Sequence, residues 1–180
     1  LIRVAGKGTF VAPQKINAVS PVYKGIREQL EVLGYDIATT LISTERVPAP
    51  TRVREHLNLP AGAEVIAVIR LRTVDGKPLS VHRSFVPASL APGLDQLDVV
   101  NEQLCVVLED KFNLSMKSVS EDLEVIVAEG TDAKLLELRK GDPALLLTDV
   151  ITNPAGTAFE YSTIVFRGDT VRLKFDYKRE

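Results

Sequence analysis

Apolar and polar residues alternate over much of this 180-residue chain at the two-residue period of extended backbone, and helical spacing is confined to short stretches. Glu64 to Val74 and Leu79 to Val86 are predicted as strands. Asp75-Gly76-Lys77-Pro78 between them is a hairpin signal, because Asp-Gly accepts the positive φ that matches the twist of antiparallel strands. The C-terminal third reads as three more strands, Ala144 to Thr152, Ala158 to Arg167 and Val171 to Tyr177, parted by Asn153-Pro154-Ala155-Gly156 and by Gly168-Asp169. Turns this short permit only antiparallel neighbours. Tyr35 to Val47, rich in Thr, Ile and Val, and Met116 to Ala128 are the remaining extended segments.

Helical spacing occurs first over Val22 to Leu33, where Ile26, Leu30 and Leu33 form a stripe stopped by Gly34. Thr51 to Leu57 is a short helix with Thr51 as its cap. Asn101 to Phe112 carries Leu104, Val107 and Leu108 on one stripe, with Asn101 as cap and Asn113 at the end, and Thr131-Asp132 caps a last helix running through Leu138. Hairpins outnumber long crossovers, which predicts an antiparallel β-sheet with packed helices, an α+β domain. Residues 12–21 show neither period and read as a linker before the main domain of residues 22–180. Upstream, Gly6-Lys7-Gly8 lies between Ile2, Val4 and Phe10, Val11, which suits a small hairpin over residues 1–11. The chain opens on this hairpin without an initiator methionine, so a preceding N-terminal segment is expected.

Composition adds boundaries. Hydrophobic residues make up 45% and charged residues 26%, an ordinary globular balance far from that of disorder. The length suffices for one good-sized core. A net charge of -2 argues against this segment itself coating a nucleic acid, which takes clustered Lys and Arg. Cys105 is the single cysteine and cannot form an internal disulfide. With no secretory leader and no run of about 18 apolar residues, a cytoplasmic location without a membrane partner is expected.

The chemistry lies on the strand faces. Along Glu64 to Val74, Ile66, Val68, Arg70, Arg72 and Val74 point one way and Val65, Ala67, Ile69 and Leu71 the other. Two guanidinium groups on an apolar face repel each other and are costly unless something anionic sits between them, either a carboxylate of the protein or a bound anion. Ser80, His82 and Ser84 share one side of the partner strand, and the hairpin register decides whether His82 faces the arginines. His56, on the short helix, is expected in solvent. Glu160, Ser162, Ile164 and Phe166 share a face of their strand and offer an acceptor and a hydroxyl beside an aromatic ring.

Two sets of motifs resemble a known family. Gly6-Lys7-Gly8-Thr9-Phe10-Val11 is similar to the closing wing of the winged helix-turn-helix in GntR-type bacterial transcription regulators. Arg70-Leu71-Arg72, Asp75-Gly76-Lys77-Pro78, Phe85-Val86-Pro87, Leu108-Glu109-Asp110-Lys111-Phe112, Phe159-Glu160-Tyr161-Ser162 and Phe166-Arg167-Gly168-Asp169 follow the order of the UTRA effector-binding domain of the HutC subfamily. The resemblance runs from Gly6 to about Phe175.

It implies a chorismate-lyase-like fold, a homodimer, and a site for a small anionic metabolite, often a sugar phosphate or a carboxylate, that alters operator DNA binding by the N-terminal domain. Gly6, Lys7 and Gly8 would belong to the DNA-binding wing. The family's R-x-R pair on this strand corresponds to Arg70 and Arg72, and its first helix would bring the amides of Gly25, Ile26 and Arg27 to the anion. Glu160 matches a late family glutamate. This chain departs from the pattern at His82, where the family has an acid, at Gln103 in place of a serine, at Cys105 in place of a tyrosine, and at Phe166, which lacks a tyrosine's hydroxyl. No cofactor and no metal are implied. The alternative from another class is a chorismate-lyase-like enzyme acting on a small carboxylate, although no nucleophile with an evident base stands in the sequence. A third is a dimerisation module whose arginines are neutralised from within by residues such as Glu160.

Overall fold

The computed structural model describes residues 2–4, 8–10, 15–19, 30–32, 34–100 and 103–174. Its centre is a six-stranded antiparallel sheet built from β4 (Ile37–Pro48), β5 (Glu64–Val74), β6 (Lys77–Pro87), β7 (Ser118–Val127), β8 (Pro143–Thr152) and β9 (Ala158–Arg167), in the spatial order β4-β5-β6-β9-β8-β7. The α+β architecture expected from the hairpin pattern is therefore present. Asp75 and Gly76, both at positive φ, make a two-residue turn within the predicted Asp75-Gly76-Lys77-Pro78 connection, so β6 starts at Lys77 rather than at Leu79.

Alternation gives the sheet two faces, each covered by helices. On the outer face, helix α1 (Thr51–Leu57) sets Val53 and Leu57 against Val65 and Tyr161. Near the other end of that face, Leu136, just after helix α3 (Gly130–Leu135), packs with Val81, Ala144 and Val165. On the inner face, helix α2 (Leu104–Phe112) buries Leu104, Val107 and Leu108 against Ile66, Val68, Val86 and Ile151. Phe159 joins that cluster because a register shift between Ile151 and Thr152 leaves it as an extra residue that turns inward. At the opposite end of the inner face, Ile16, Leu30 and Val171 close over Val74, Leu79, Leu147, Ile164 and Phe166.

Helix ends depart from the sequence reading. Thr51 is the first helical residue and Pro50 stands at the cap position, so Thr51 does not cap α1. The next helix begins at Leu104 behind Gln103 rather than at Asn101, which lies outside the described residues. Thr131 and Asp132 sit inside α3, whose cap position is Glu129, and α3 ends at Leu135. In none of these three helices does the cap side chain bond the backbone, so packing of a short apolar stripe holds them. C-terminal stops were more legible. Asn113 adopts left-handed backbone, as does Asn58, which the sequence reading did not mark, and Gly34 ends the segment containing Leu30 with Gly34 N–H donating to Glu31 O and Tyr35 N–H to Leu30 O. Of the first predicted helix, residues 22–29 and 33 lie outside the described residues.

Two topological expectations are corrected. The segment read as a linker contains a strand, β3 (Ile16–Val19), with Ile16 buried. The last strand, β10 (Val171–Lys174), does not fold back on β9: it pairs in parallel with β3. The Gly168-Asp169 turn thus redirects the chain off the main sheet, because β9 is already paired with β6 on one side and β8 on the other and offers no free edge to a hairpin partner. At the N-terminus, β1 (Ile2–Val4) and β2 (Gly8–Phe10) pair antiparallel as the expected small hairpin, with Gly8 opposite Val4. Gly6 and Lys7 lie outside the described residues.

Candidate functional site

Between the two inner-face apolar clusters the sheet carries a band of buried polar side chains. Register places it: Arg70 lies opposite His82, Arg72 opposite Ser80, Ser84 opposite Ser162, and Ser162 opposite Asp149. Residues opposite one another in antiparallel strands share a face. Arg70, Arg72, Ser80, His82, Ser84, Asp149, Glu160 and Ser162 are all buried on it, and Phe166 closes one end. The open question of the hairpin register is thereby answered, with His82 directly beside the arginines.

Few of these groups neutralise one another. Arg70 is 5% exposed, and its Nη2 donates to Ser84 Oγ at 3.3 Å. Its Nε is buried without a hydrogen-bond acceptor, and no carboxylate among the described residues makes a salt bridge with it. Burial accordingly lowers the Arg70 pKa, an effect opposed by the nearby charges of Glu160 and Cys105. His82 is bonded at 2.9 Å to Ser80 Oγ through Nε2 and meets the Phe166 ring edge-on at a centroid distance of 6.2 Å. Burial, reinforced by Arg72 and Arg70, drives its pKa well below the usual histidine range, so the imidazole is neutral at physiological pH.

The acids stand at the other end of the band. Burial raises the Glu160 pKa, against the Ser84 hydrogen bond and the Arg70 charge that lower it. Asp149 is 2% exposed and accepts a 2.7 Å hydrogen bond from Ser162 Oγ. Desolvation, then the neighbouring Glu160, push its pKa up to about 8 in spite of that bond. At the N-terminal end of α2, Cys105 is exposed and its thiol donates to Gln103 Oε1 at 3.8 Å. Partial desolvation and the Glu160 charge raise the Cys105 pKa, with Arg70 acting in the opposite direction, which places this thiol at the border of the same band.

The structure thus brings together Arg70, Arg72, His82, Glu160 and Phe166, with Cys105 and its neighbour Gln103 at the border. Gly25, Ile26 and Arg27 lie outside the described residues. His56 is exposed as expected but stacks on Tyr161, with centroids 4.5 Å apart, on the outer face. Sequence reasoning missed Asp149. The available signal was the β8 alternation, which sets Asp149 between Leu147 and Ile151 on an otherwise apolar face. Among the described residues no three His, Cys, Asp or Glu side chains gather as a metal site, and no helix is long and apolar enough to cross a membrane.

The fold, an antiparallel sheet clasped by helices, is shared by solved effector domains of bacterial transcription regulators. PhnF from Mycobacterium smegmatis superposes with a TM-score of 0.86 at 20% identity, over 97% of this chain and 77% of PhnF. The C-terminal domain of the histidine utilization repressor from Pseudomonas syringae gives a TM-score of 0.74 at 18% identity, over 80% of this chain and all of that domain. By sequence, the chain is 27% identical over 179 residues to a probable fructoselysine utilization operon transcriptional repressor of Escherichia coli, covering 99% of this chain and 73% of the relative. It is 24% identical over 169 residues to the transcriptional repressor NagR of Bacillus subtilis, covering 94% and 69%. The chain belongs to the UTRA domain family, which it matches over residues 33–172. Its relatives are named as repressors and regulators of transcription, so this is the UTRA domain of a transcription regulator and not an enzyme.

Proposed function

We propose that this domain senses a small anionic metabolite at the polar band and that occupancy alters how the regulator holds operator DNA. Arg70 carries the proposal. A guanidinium taken out of water with no carboxylate in salt-bridge contact, only the nearby charge of Glu160, and an unmet Nε costs several kcal/mol, which a phosphate or carboxylate bound against it would offset. Arg72, one register step along the same face, would share the anion, with neutral His82 and Ser80 as hydrogen-bonding neighbours. Glu160, Phe166, Gln103 and Cys105 would line the remainder, and the amides of Gly25, Ile26 and Arg27 would complete the anion's shell. The relatives' names, which speak of fructoselysine and histidine utilization, favour a ligand of catabolic origin.

In this reading residues 1–11 belong to a DNA-binding wing presenting Gly6, Lys7 and Gly8, residues 12–21 connect it, and residues 22–180 bind effector and form a homodimer. The parallel pairing of β3 with β10 would make the connection a strand docked on the effector domain, through which a change in the site reaches the wing. A ligand switches such a protein only if it binds two dimer arrangements unequally.

The test is a thermal-shift screen of phosphorylated and carboxylated metabolites against the wild type and an Arg70→Ala/Arg72→Ala variant. At a hundredfold excess over Kd a true ligand adds about 2.7 kcal/mol, several degrees in Tm for a protein of this size. The shift is expected in the wild type alone. Equal shifts in both proteins would refute the arginine clamp.

A further inference from the structure

The band is polarised. From Ser84, which receives the Arg70 guanidinium, the register runs to Ser162 on β9, Asp149 on β8 and Glu121 on β7, one strand at a time along a single face. Arginines hold the β5 end. At the β8 end Asp149 is 2% exposed and oriented by the Ser162 hydroxyl, and the charges that bear on it, Glu160 and Glu121, are both acidic. Glu160 has Arg70 as its cation, whereas no lysine or arginine among the described residues acts on Asp149.

Converging buried carboxyls are costly unless a positive charge meets them. A neutral hydroxyl is served as well by an amide oxygen, so acids here favour a cationic visitor, which forms the stronger charge-assisted bond. The buried, unmet Nε of Arg70 fixes where the opposite end of that visitor lies. Resting on the anion reading above, we propose that Asp149, oriented by Ser162 and backed by Glu160, is a second anchor that takes a protonated amine. The ligand is then a zwitterion with its anionic group at Arg70 and an ammonium roughly 10 Å away, two interstrand spacings of about 4.8 Å from Ser84 to Asp149.

Calorimetric titration of the whole chain at pH 7.5 with pentyl phosphate and 5-aminopentyl phosphate, which differ only in the terminal amine, tests this. The amine is expected to tighten binding by about tenfold or more. Asp149→Asn, which keeps the side chain's shape, should bring the two probes within about twofold, and Arg70→Ala should weaken both. Ser162→Ala, which removes only the orienting hydroxyl, is the second variant and should reduce the preference in the same direction. Equal affinities in the wild type, both lost in Arg70→Ala, would overturn the zwitterion and keep the anion clamp. A preference for the amine that survives in both Asp149→Asn and Ser162→Ala would overturn the role of Asp149. Failure of both probes to bind the wild type would overturn the clamp, and the second anchor with it.

Discussion

Replacing Asp149 by asparagine should change the pH dependence of folding stability more than stability itself at low pH. In the folded protein this carboxyl titrates at about 8, against 3.8 for an unperturbed aspartate. Between those values the folded state holds a proton that the unfolded chain has released, so stability falls as pH rises through the window, by about 1.4 kcal/mol per pH unit for one full proton. The whole displacement corresponds to about 6 kcal/mol, a ceiling that relaxation and water entry around the carboxylate reduce to a few. Asparagine cannot titrate and reproduces the shape. Urea unfolding of both proteins at pH 5, 6, 7 and 8 should therefore show the wild type losing about 2–3 kcal/mol relative to Asp149→Asn between pH 5 and 7. Glu160, raised by the same burial, is present in both proteins, so its own slope largely drops out of the difference. A wild-type minus variant difference that stays constant across this range would show that Asp149 ionises at an ordinary pH, and the desolvation argument would fail.

Other substitutions probe the frame. An added Cβ at Gly168 would stand 2.7 Å from the Pro143 carbonyl oxygen, so Gly168→Ala should destabilise by about 1–3 kcal/mol in denaturant titrations, through displaced backbone rather than φ strain. Truncation to alanine of Leu108, fully buried on the inward face of α2, should cost about 2–5 kcal/mol, read as a lower Tm, because it seals the apolar cluster at one end of the band. Cys105 is exposed, yet its thiol pKa is raised, so iodoacetamide should alkylate it more slowly at pH 7.5 than it alkylates a free cysteine peptide. An equal or faster rate would show that Glu160 and partial desolvation do not govern this thiol.

The alternation of Arg70 and Arg72 with valine and isoleucine on β5 was legible because a charge at an inward position of a regular strand breaks a strict pattern, and the Asp75-Gly76 turn carries the only backbone chemistry that such a hairpin needs. The Ser80-His82-Ser84 and Glu160-Ser162 faces were legible for the same reason, and pairing then needed only the register. Asp149 was not. Its strand reads Leu145, Leu146, Leu147, Thr148, Asp149, Val150, Ile151, with apolar residues on both faces because helices cover both, and period-two contrast vanishes when neither face is wet. The parallel β3–β10 pair was hidden by distance: about 155 residues separate partners such as Ile16 and Val171, and nothing local marks a pairing made across the whole fold. Helix starts failed because packing, not a side-chain cap, places them.

The polar band also explains why the inner core is two clusters and not one. Ile66, Val68, Val86 and Phe159 belong to the α2 end and Val74, Leu79 and Phe166 to the other, yet they lie on the same three strands, so the break follows from the few positions between them, where Arg70, Arg72, Ser80, His82, Ser84, Ser162 and Glu160 replace apolar residues. Filling those positions with Leu or Val would join the clusters and, as in other proteins where buried ions were replaced by apolar side chains, would be neutral or stabilising. Stability therefore does not account for the band. Under the proposed anion binding, burial that is expensive in the empty protein would become inexpensive once opposite charges arrived, so the site would hold a free-energy difference between empty and occupied states, and a regulator needs such a difference to let a small molecule move its DNA-binding part. A variant that joins the clusters should accordingly gain Tm while its stability loses all dependence on added anions, and a persistent ligand-induced shift in such a variant would place the sensing site elsewhere on the protein.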